Sequence, residues 1–376
     1  MRILFITRGY PSESYKTHGI FEYDMAKALV NAGHEVTYIA VDMRSFRRKR
    51  RWGFESFQRD GIQIEGINIP LGRIYNPLKT AISEKLLLHK YNQLIVGKEP
   101  FDLIHAHYIG SAYLGARLKK YSGVPLIITE HSSKLNGELN GYSTKKLEFA
   151  YHCADQLTTV SQSLSNVIEE KFGIRGEVIP NIADTDIFGY MEEKPTPPPF
   201  IFATTGNLIH SKGMDLTITA FSKLLKLYPD SNLMIFGKGP EKERLMRITR
   251  QNGLTHHVTF MGLVSREDLN DYYNKCHCFV LASLSETFGV SYIEALAKGI
   301  PVIATDCGGP SEFIHAKNGI LVPVNDVDAL YDAMIYMIEN SSCYSGQLIS
   351  DEIKHKYSSR KNAESLEIIY RRVLEK

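Results

Sequence analysis

The sequence predicts an α/β protein built from two doubly wound, parallel-sheet domains. Three observations carry this. Apolar runs of strand length alternate with helix-period segments along the 376 residues, the order that places helices on both faces of a parallel sheet. The alternation breaks once, at "GYMEEKPTPPPF" (189–200), and then restarts. The length itself favours two domains over one.

The first half opens on "RILFIT" (2–7), a core strand with none of the architecture of a signal peptide. "FEYDMAKALVNAG" (21–33) has helical spacing and stops at Gly33. "HEVTYIAV" (34–41) is the next strand and "IQIEGINI" (62–69) a short alternating one, followed by a helix over 78–97. Strands are then expected at 102–108, 125–131, 156–161 and 176–181, with helices at 110–120, 144–153 and 163–172 between them. The second half repeats the scheme. Its strands are 200–206, 232–239, 258–264, 278–283, 301–305 and 319–323; its helices are 213–227, 240–252, 265–275, 290–298, 310–315 and 326–339. A last helix, 359–375, is placed to return across the linker. The expected domains are therefore 1–190, a Pro/Glu/Lys-rich linker 191–200, 201–355, and a tail 356–376 that packs back on the first domain.

Composition narrows the function classes. A formal net charge of +2 makes nucleic acid a poor default partner. No apolar run reaches membrane-spanning length. Five cysteines, an odd number, suggest no disulfide framework and fit a reducing cytoplasm. "KCHCF" (275–279) lacks a second ligand pair and runs into a strand, so Cys276, His277 and Cys278 read as core rather than metal ligands. One basic run stands out, "RSFRRKRRW" from Arg44 to Trp52. It suggests peripheral contact with anionic lipid at the cytoplasmic membrane face, with Trp52 suited to an interface.

The densest chemistry lies in "SETFGVSYIEALAKGIPVIATDCGG" (285–309). Gly299 followed by Ile300 and Pro301 stops a helix that counts back to 290, so the amides near Gly289 sit at its positive end. That is a site for phosphate. Glu286 lies in the loop before it and Glu294 one turn inside. Eight helical positions would leave the two about 80° apart, so they form no catalytic dyad. They read as two hydroxyl acceptors around one anionic ligand, one for a sugar and one for a ribose. "TGNLIHSKGMD" (205–215) follows a strand, opens a helix and offers Lys212 as a cation for a diphosphate.

This order (G-N-L-x-x-x-K-G, then G-x-G-P, F-x-G and S-x-x-E-T-F-G-x-x-x-x-E) resembles the large group of retaining GT-B glycosyltransferases that includes glycogen synthases, sucrose synthases and bacterial polysaccharide glycosyltransferases. The resemblance implies two facing Rossmann-like domains with an interdomain cleft. It implies Glu286 on the donor-sugar hydroxyls, the amides of Phe288, Gly289 and Val290 on sugar and diphosphate, and Glu294 on the ribose. Lys212 would neutralise the diphosphate, Gly206 begin the phosphate-side turn, and the backbone of Leu263 and Val264 meet the base. The family usually carries Arg after that Gly; this chain has Asn207, so one cation of the clamp is absent or comes from elsewhere.

In the first half, "YPSESYKTHGIFEYDMAKAL" (10–29) resembles the family's glycine loop, with His18-Gly19 in place of Gly-Gly. It would approach donor phosphate or acceptor. "FDLIHAHY" (101–108) and "TEHSS" (129–133) resemble strand ends lining the active site, which makes His131 the candidate catalytic histidine; His105 and His107 share one strand face, with packing favoured for one of them. The substrates implied are a UDP- or GDP-linked sugar and a saccharide or lipid-linked saccharide, with retention at the anomeric carbon. No Asp-x-Asp metal motif stands near the site, so neither metal nor cofactor is expected. Two other readings share the fold: a sugar-nucleotide isomerase resembling UDP-GlcNAc 2-epimerase, and a non-catalytic nucleotide-sugar-binding subunit.

Overall fold

A computed structural model describes residues 1–45, 51–72, 76–192 and 195–376. The chain divides into two compact units, Met1–Ile182 with Ser359–Lys376, and Ala183–Ser358. The expected boundary at 190 thus moves to Ile182, and 183–190 join the second unit. Phe188 is fully buried and packs on Tyr273, and the Ala183 N–H donates to the Tyr357 carbonyl at 2.8 Å. The same bond keeps 356–358 out of the tail.

The first unit holds β1 (Arg2–Thr7), α1 (Ile20–Asn31), β2 (Glu35–Met43), β3 (Gly53–Arg59), β4 (Ile62–Ile69), α2 (Asn76–Ile95), β5 (Leu103–His107), α3 (Tyr108–Ser122), β6 (Leu126–Glu130), α4 (Gly141–Cys153), β7 (Gln156–Thr159), α5 (Gln162–Phe172) and β8 (Glu177–Val178). Its sheet runs β3-β4-β2-β1-β5-β6-β7-β8. Every pairing is parallel except β3 with β4. β5 and β6 are buried at every position, as expected of strands covered on both faces. β3 was not expected. Its burial alternates along "GFESFQR", the period-2 signature of a half-exposed strand, but only its two phenylalanines are apolar. The strand expected at 176–181 shrinks to two residues.

The second unit holds β9 (Ile201–Thr205), α6 (Met214–Leu224), β10 (Asn232–Phe236), α7 (Lys242–Gln251), β11 (Val258–Gly262), α8 (Arg266–Tyr273), β12 (Cys278–Leu281), α9 (Val290–Ala297), β13 (Val302–Thr305), β14 (Gly319–Val322), α10 (Val327–Asn340) and α11 (Gly346–Tyr357). The sheet order is β11-β10-β9-β12-β13-β14, all parallel. The chain moves outward from β9 to β11, then returns to the other side of β9. Ligands bind such sheets at that reversal, beyond the carboxyl ends of the strands. The helix expected at 310–315 is a 3-10 turn over Gly309–Glu312, and α11 was not expected.

The last helix, α12 (Ser359–Leu374), belongs to the first unit. Its Leu366, Ile369, Tyr370 and Val373 share a core with Met25 and Leu29 of α1 and Phe5 of β1. Tyr370 Oη lies 2.6 Å from His105 Nδ1, and His105 Nε2 lies 2.6 Å from Thr129 Oγ1. Both ring nitrogens of His105 are therefore engaged, and burial pushes its pKa down to about 3. A neutral ring inside this chain satisfies polar groups that would otherwise be buried unpaired.

Candidate functional site

In the second unit the predicted residues converge where β9 and β12 end. β9 delivers Gly206 and Asn207, and a 3-10 turn over His210–Lys212 brings Lys212 back toward the sheet. The β12 loop is tied to that turn by the Leu284 N–H, which donates to the Ser211 carbonyl at 2.8 Å. Lys212 Nζ pairs with Glu286 Oε1, and Ser283 Oγ donates to the same oxygen at 2.8 Å. Glu286 is only 8% exposed. Its backbone bridges to the loop after β13: its N–H donates to the Cys307 carbonyl at 3.2 Å, and its carbonyl accepts from the Gly309 N–H at 3.1 Å. Both described bonds to the carboxylate fall on Oε1, so among the described residues Oε2 is left to accept from elsewhere. Burial, the largest cause, with the Glu286 charge raising it further, pushes the nearby Cys307 thiol up to about 11.

α9 begins behind Glu286. Its N-cap is Gly289 with φ 102, and no side chain caps it. A Cβ there would stand 2.7 Å from the Tyr292 ring, so this entry to the helix requires glycine. The first bond in the helix is made by Tyr292 N–H to Gly289 O at 3.1 Å. The amides of Gly289, Val290 and Ser291 precede it and point outward at the positive end. Glu294 follows, 7% exposed inside a helix whose Tyr292, Ile293, Ala295 and Leu296 are buried outright. Its Oε1 lies 3.4 Å from Arg266 Nε, and Arg266 Nη1 lies 3.5 Å from Asp184 Oδ2. Each glutamate thus has its own cation, as two independent acceptors would. Leu263 and Val264 lie in the β11–α8 loop, with Leu263 exposed. Asn207 is exposed, and its carbonyl accepts from the Ile209 N–H at 2.8 Å.

Sequence reasoning missed Ser283 and Arg266. Ser283 stands in the quoted neighbourhood of Glu286 and could have been found there. Arg266 reads locally only as the first residue of a helix capped by the Ser265–Asp268 box; its reach to Glu294 is not a local signal.

The first unit gathers a separate cluster at the ends of β1, β5 and β6. His131 is 5% exposed. Its Nδ1 lies 3.1 Å from Asn181 Oδ1 and its Nε2 3.3 Å from His107 Nδ1, with the Tyr108 ring stacked at 4.8 Å. Burial first, then the Arg8 charge, pushes its pKa down to about 3. Both ring nitrogens thus have partners within the first unit, Asn181 and His107. Glu130 accepts from the amides of His131 and Ser132 at 3.0 Å and from Tyr151 Oη at 3.0 Å, and burial pushes it up to about 7.

His18 Nε2 lies 3.1 Å from the Arg8 carbonyl and 3.7 Å from Asp42 Oδ2. Gly19 caps α1 with φ 69, and a Cβ there would stand 2.1 Å from the Gly9 carbonyl. Gly19 thus lies against the chain's own backbone at Gly9. Of the basic run, 46–50 lie outside the described residues. Arg44 turns inward, with Nε 2.6 Å from Asp42 Oδ1 and its guanidinium 4.7 Å from the Tyr15 ring centre. Cys276 and Cys278 are buried, and His277 accepts from Ile201 N–H and meets the Pro195 carbonyl. Among the described residues no helix is long and apolar enough to cross a membrane.

Comparison with known proteins places both halves. The model of Glycosyltransferase Family 4 matches residues 20–187, and that of Glycosyl transferases group 1 matches 191–356. An uncharacterized glycosyltransferase of Methanocaldococcus jannaschii is 30% identical over 69% of this chain and 72% of its own length. The putative teichuronic acid biosynthesis glycosyltransferase TuaC of Bacillus subtilis is 27% identical over 99% of each chain. Among solved structures, Anabaena HepE in complex with UDP and glucose superposes with a TM-score of 0.76 over 98% of each chain at 17% identity, a likeness of GT-B fold.

Proposed function

The chain belongs to the group 1 and family 4 glycosyltransferases, and from that premise we propose the reaction it performs: transfer of a sugar from a UDP- or GDP-linked donor to a saccharide or lipid-linked saccharide. The transfer retains configuration, needs no metal ion, and serves assembly of a cell-surface polysaccharide. One observation carries this reading, the partly buried Lys212–Glu286 pair across the ends of β9 and β12, beside the uncapped start of α9.

Breaking the bond between the anomeric carbon and the diphosphate oxygen leaves negative charge on the β-phosphate. A fixed ammonium and helix-terminal amides stabilise that charge without reorganising. Lys212 and the amides of Phe288, Gly289 and Val290 take this part. Glu286, held through Oε1, keeps Oε2 for a sugar hydroxyl. Glu294 accepts from the ribose hydroxyls, with Arg266 holding its carboxylate in place. Gly206 opens the turn beneath the phosphates, and the backbone at Leu263 and Val264 borders the base. The acceptor hydroxyl enters on the leaving-group face, and its proton goes to the departing phosphate oxygen. The donor class agrees with HepE, which holds UDP, and the polysaccharide role with TuaC, a putative teichuronic acid biosynthesis glycosyltransferase.

The test is a thermal-shift panel of UDP, GDP, ADP and their sugars, with and without EDTA. A ligand well above its Kd raises apparent stability by about 3 kcal/mol. A shift by one nucleotide class, unchanged by EDTA, is the expected result. No shift by any of them removes the donor site, and a shift that EDTA abolishes removes the metal-free part. The anomeric configuration of the product, read by proton NMR, decides retention.

A further inference from the structure

The first unit contains a cleft of about 760 Å³. Among the described residues it is lined by Arg8, His18, Arg44, Lys79 and Lys146, against one carboxylate, Asp42. That carboxylate is already committed. Arg44 binds it through Nε at 2.6 Å and Nη2 at 2.5 Å, and His18 stands 3.7 Å away. Arg8 has Glu22 at 3.5 Å. Lys79 and Lys146 have no such partner: among the described residues neither ammonium meets a carboxylate. Lys146 Nζ is held instead by Thr80 Oγ1 at 2.7 Å and by the rings of Tyr113 and Tyr142 at 4.4 and 4.8 Å.

Among the described residues no carboxylate pairs with either ammonium, although Glu84 acts on Lys146 from a distance and the two ammonium groups feel each other. Burial first, and then the Lys79 charge, pushes Lys146 down to about 8. Like charges brought together in a partly dry wall are unfavourable. An anion reverses the sign, because each ammonium then makes a charge-assisted bond about twice as strong as a neutral one. The hydroxyls of Thr80, Ser83 and Ser143 on the same walls add neutral donors. The volume lies in the range of pockets that hold a small molecule, and it exceeds what a lone ion needs.

We propose that this cleft binds the phosphate of a phosphorylated acceptor, with Lys79 and Lys146 as its two cations and Thr80 and Ser143 as hydroxyl donors. The proposal rests on the glycosyltransfer reading for the word acceptor, and deepens it by naming the acceptor's chemistry. The phosphate can belong to a soluble sugar phosphate or to a lipid phosphate.

Calorimetric titration of the full chain tests it. Lys212→Ala is the background, so that the donor cation does not compete, and the probe is inorganic phosphate. Phosphate is expected to bind with Kd on the order of 1 mM. Lys79→Gln and Lys146→Gln each weaken it about tenfold and Lys146→Arg restores most of it, with circular dichroism confirming the fold. Phosphate affinity unchanged within twofold in both Gln variants, or no binding up to about 10 mM, overturns the proposal. Vesicles of phosphatidylcholine with and without phosphatidic acid then separate the sources. Sedimentation that needs the acid and is lost in Lys79→Gln/Lys146→Gln assigns a lipid phosphate; its absence, with phosphate binding intact, assigns a soluble one. The nucleotide panel keeps the two readings apart. A surviving nucleotide shift with failed phosphate binding sinks the cleft alone, and the converse sinks the donor site alone.

Discussion

Replacing Lys212 by alanine separates what the Lys212–Glu286 pair does for catalysis from what it does for the fold. The lysine side chain is 21% exposed and the glutamate 10%, so the carboxylate left behind is mostly shielded from water and keeps only Ser283. Such a group costs about 2 kcal/mol, which in a unit of this size lowers Tm by about 4–8 °C. Turnover falls much further. Losing one fixed positive group at a developing oxyanion costs about 3–4 kcal/mol, or 10²–10³ in kcat. The double variant Lys212→Ala/Glu286→Gln distinguishes the two effects. A neutral amide leaves no unpaired charge, so the double variant recovers about half of the lost stability and none of the activity. The assay is release of nucleoside diphosphate from donor and acceptor, with denaturant unfolding alongside. A single variant that turns over within threefold of the wild type, while folded, refutes the assignment of Lys212. A double variant that regains turnover refutes the argument that its charge acts on the phosphate.

Three further outcomes follow from the first unit. Tyr370→Phe removes the 2.6 Å partner of His105 Nδ1 and is expected to destabilise by about 1–3 kcal/mol; an unchanged urea midpoint would sink the idea that this bond fastens α12. Gly19→Ala must hold φ 69 with a Cβ against the Gly9 carbonyl, so a loss above about 2 kcal/mol is expected, and an unperturbed unfolding curve would contradict it. Acid should also destabilise this unit. His105 and His131 are depressed to about 3 and His107 well below its ordinary value, all by burial. The folded chain therefore refuses protons that the unfolded chain binds below about pH 6.5, and stability falls as pH drops from 6.5 toward 4.5. Glu130, raised to about 7, acts the other way by keeping a proton that the unfolded chain has lost. Glu22, also raised by burial, opposes the histidines in the same way, so three histidines against two glutamates leave a net of at least one proton, a slope of about 1.4 kcal/mol per pH unit or more. Urea unfolding at pH 6.5 and 5.5 measures it; equal stabilities would mean that the histidines are not buried neutral.

The sequence made most of the architecture readable because buried parallel strands are dense apolar runs, as in "LIITE" and "CFVL". β3 escaped because a half-exposed edge strand keeps few apolar residues, and α11 because "GQLISDEIKHKY" is polar on most of its surface, with Ile349 and Ile353 supplying its buried apolar side chains. At the site, Lys212, Glu286 and Glu294 were legible because their spacing is local to one loop or helix start. Their pairing was not. Lys212 meets Glu286 across 74 positions of chain, and only the strand order puts β9 beside β12. The same holds for Lys79 and Lys146, which sit on helices α2 and α4 and read alone as solvated surface charges. His131 was readable at its strand end, while its contacts with Asn181 and His107, 50 and 24 positions away, were not.

The contact between Tyr370 and His105 spans 265 positions, with the whole of Ala183–Ser358 threaded between. During synthesis, therefore, the sheet that emerges first cannot close its core when its own strands are out. Phe5, Met25 and Leu29 stay without α12 until that helix has left the ribosome. The second unit, continuous in the chain, can complete itself while the first still waits. A cut or a stop between Tyr357 and α12 would therefore cripple the earlier-made unit rather than the unit beside the cut.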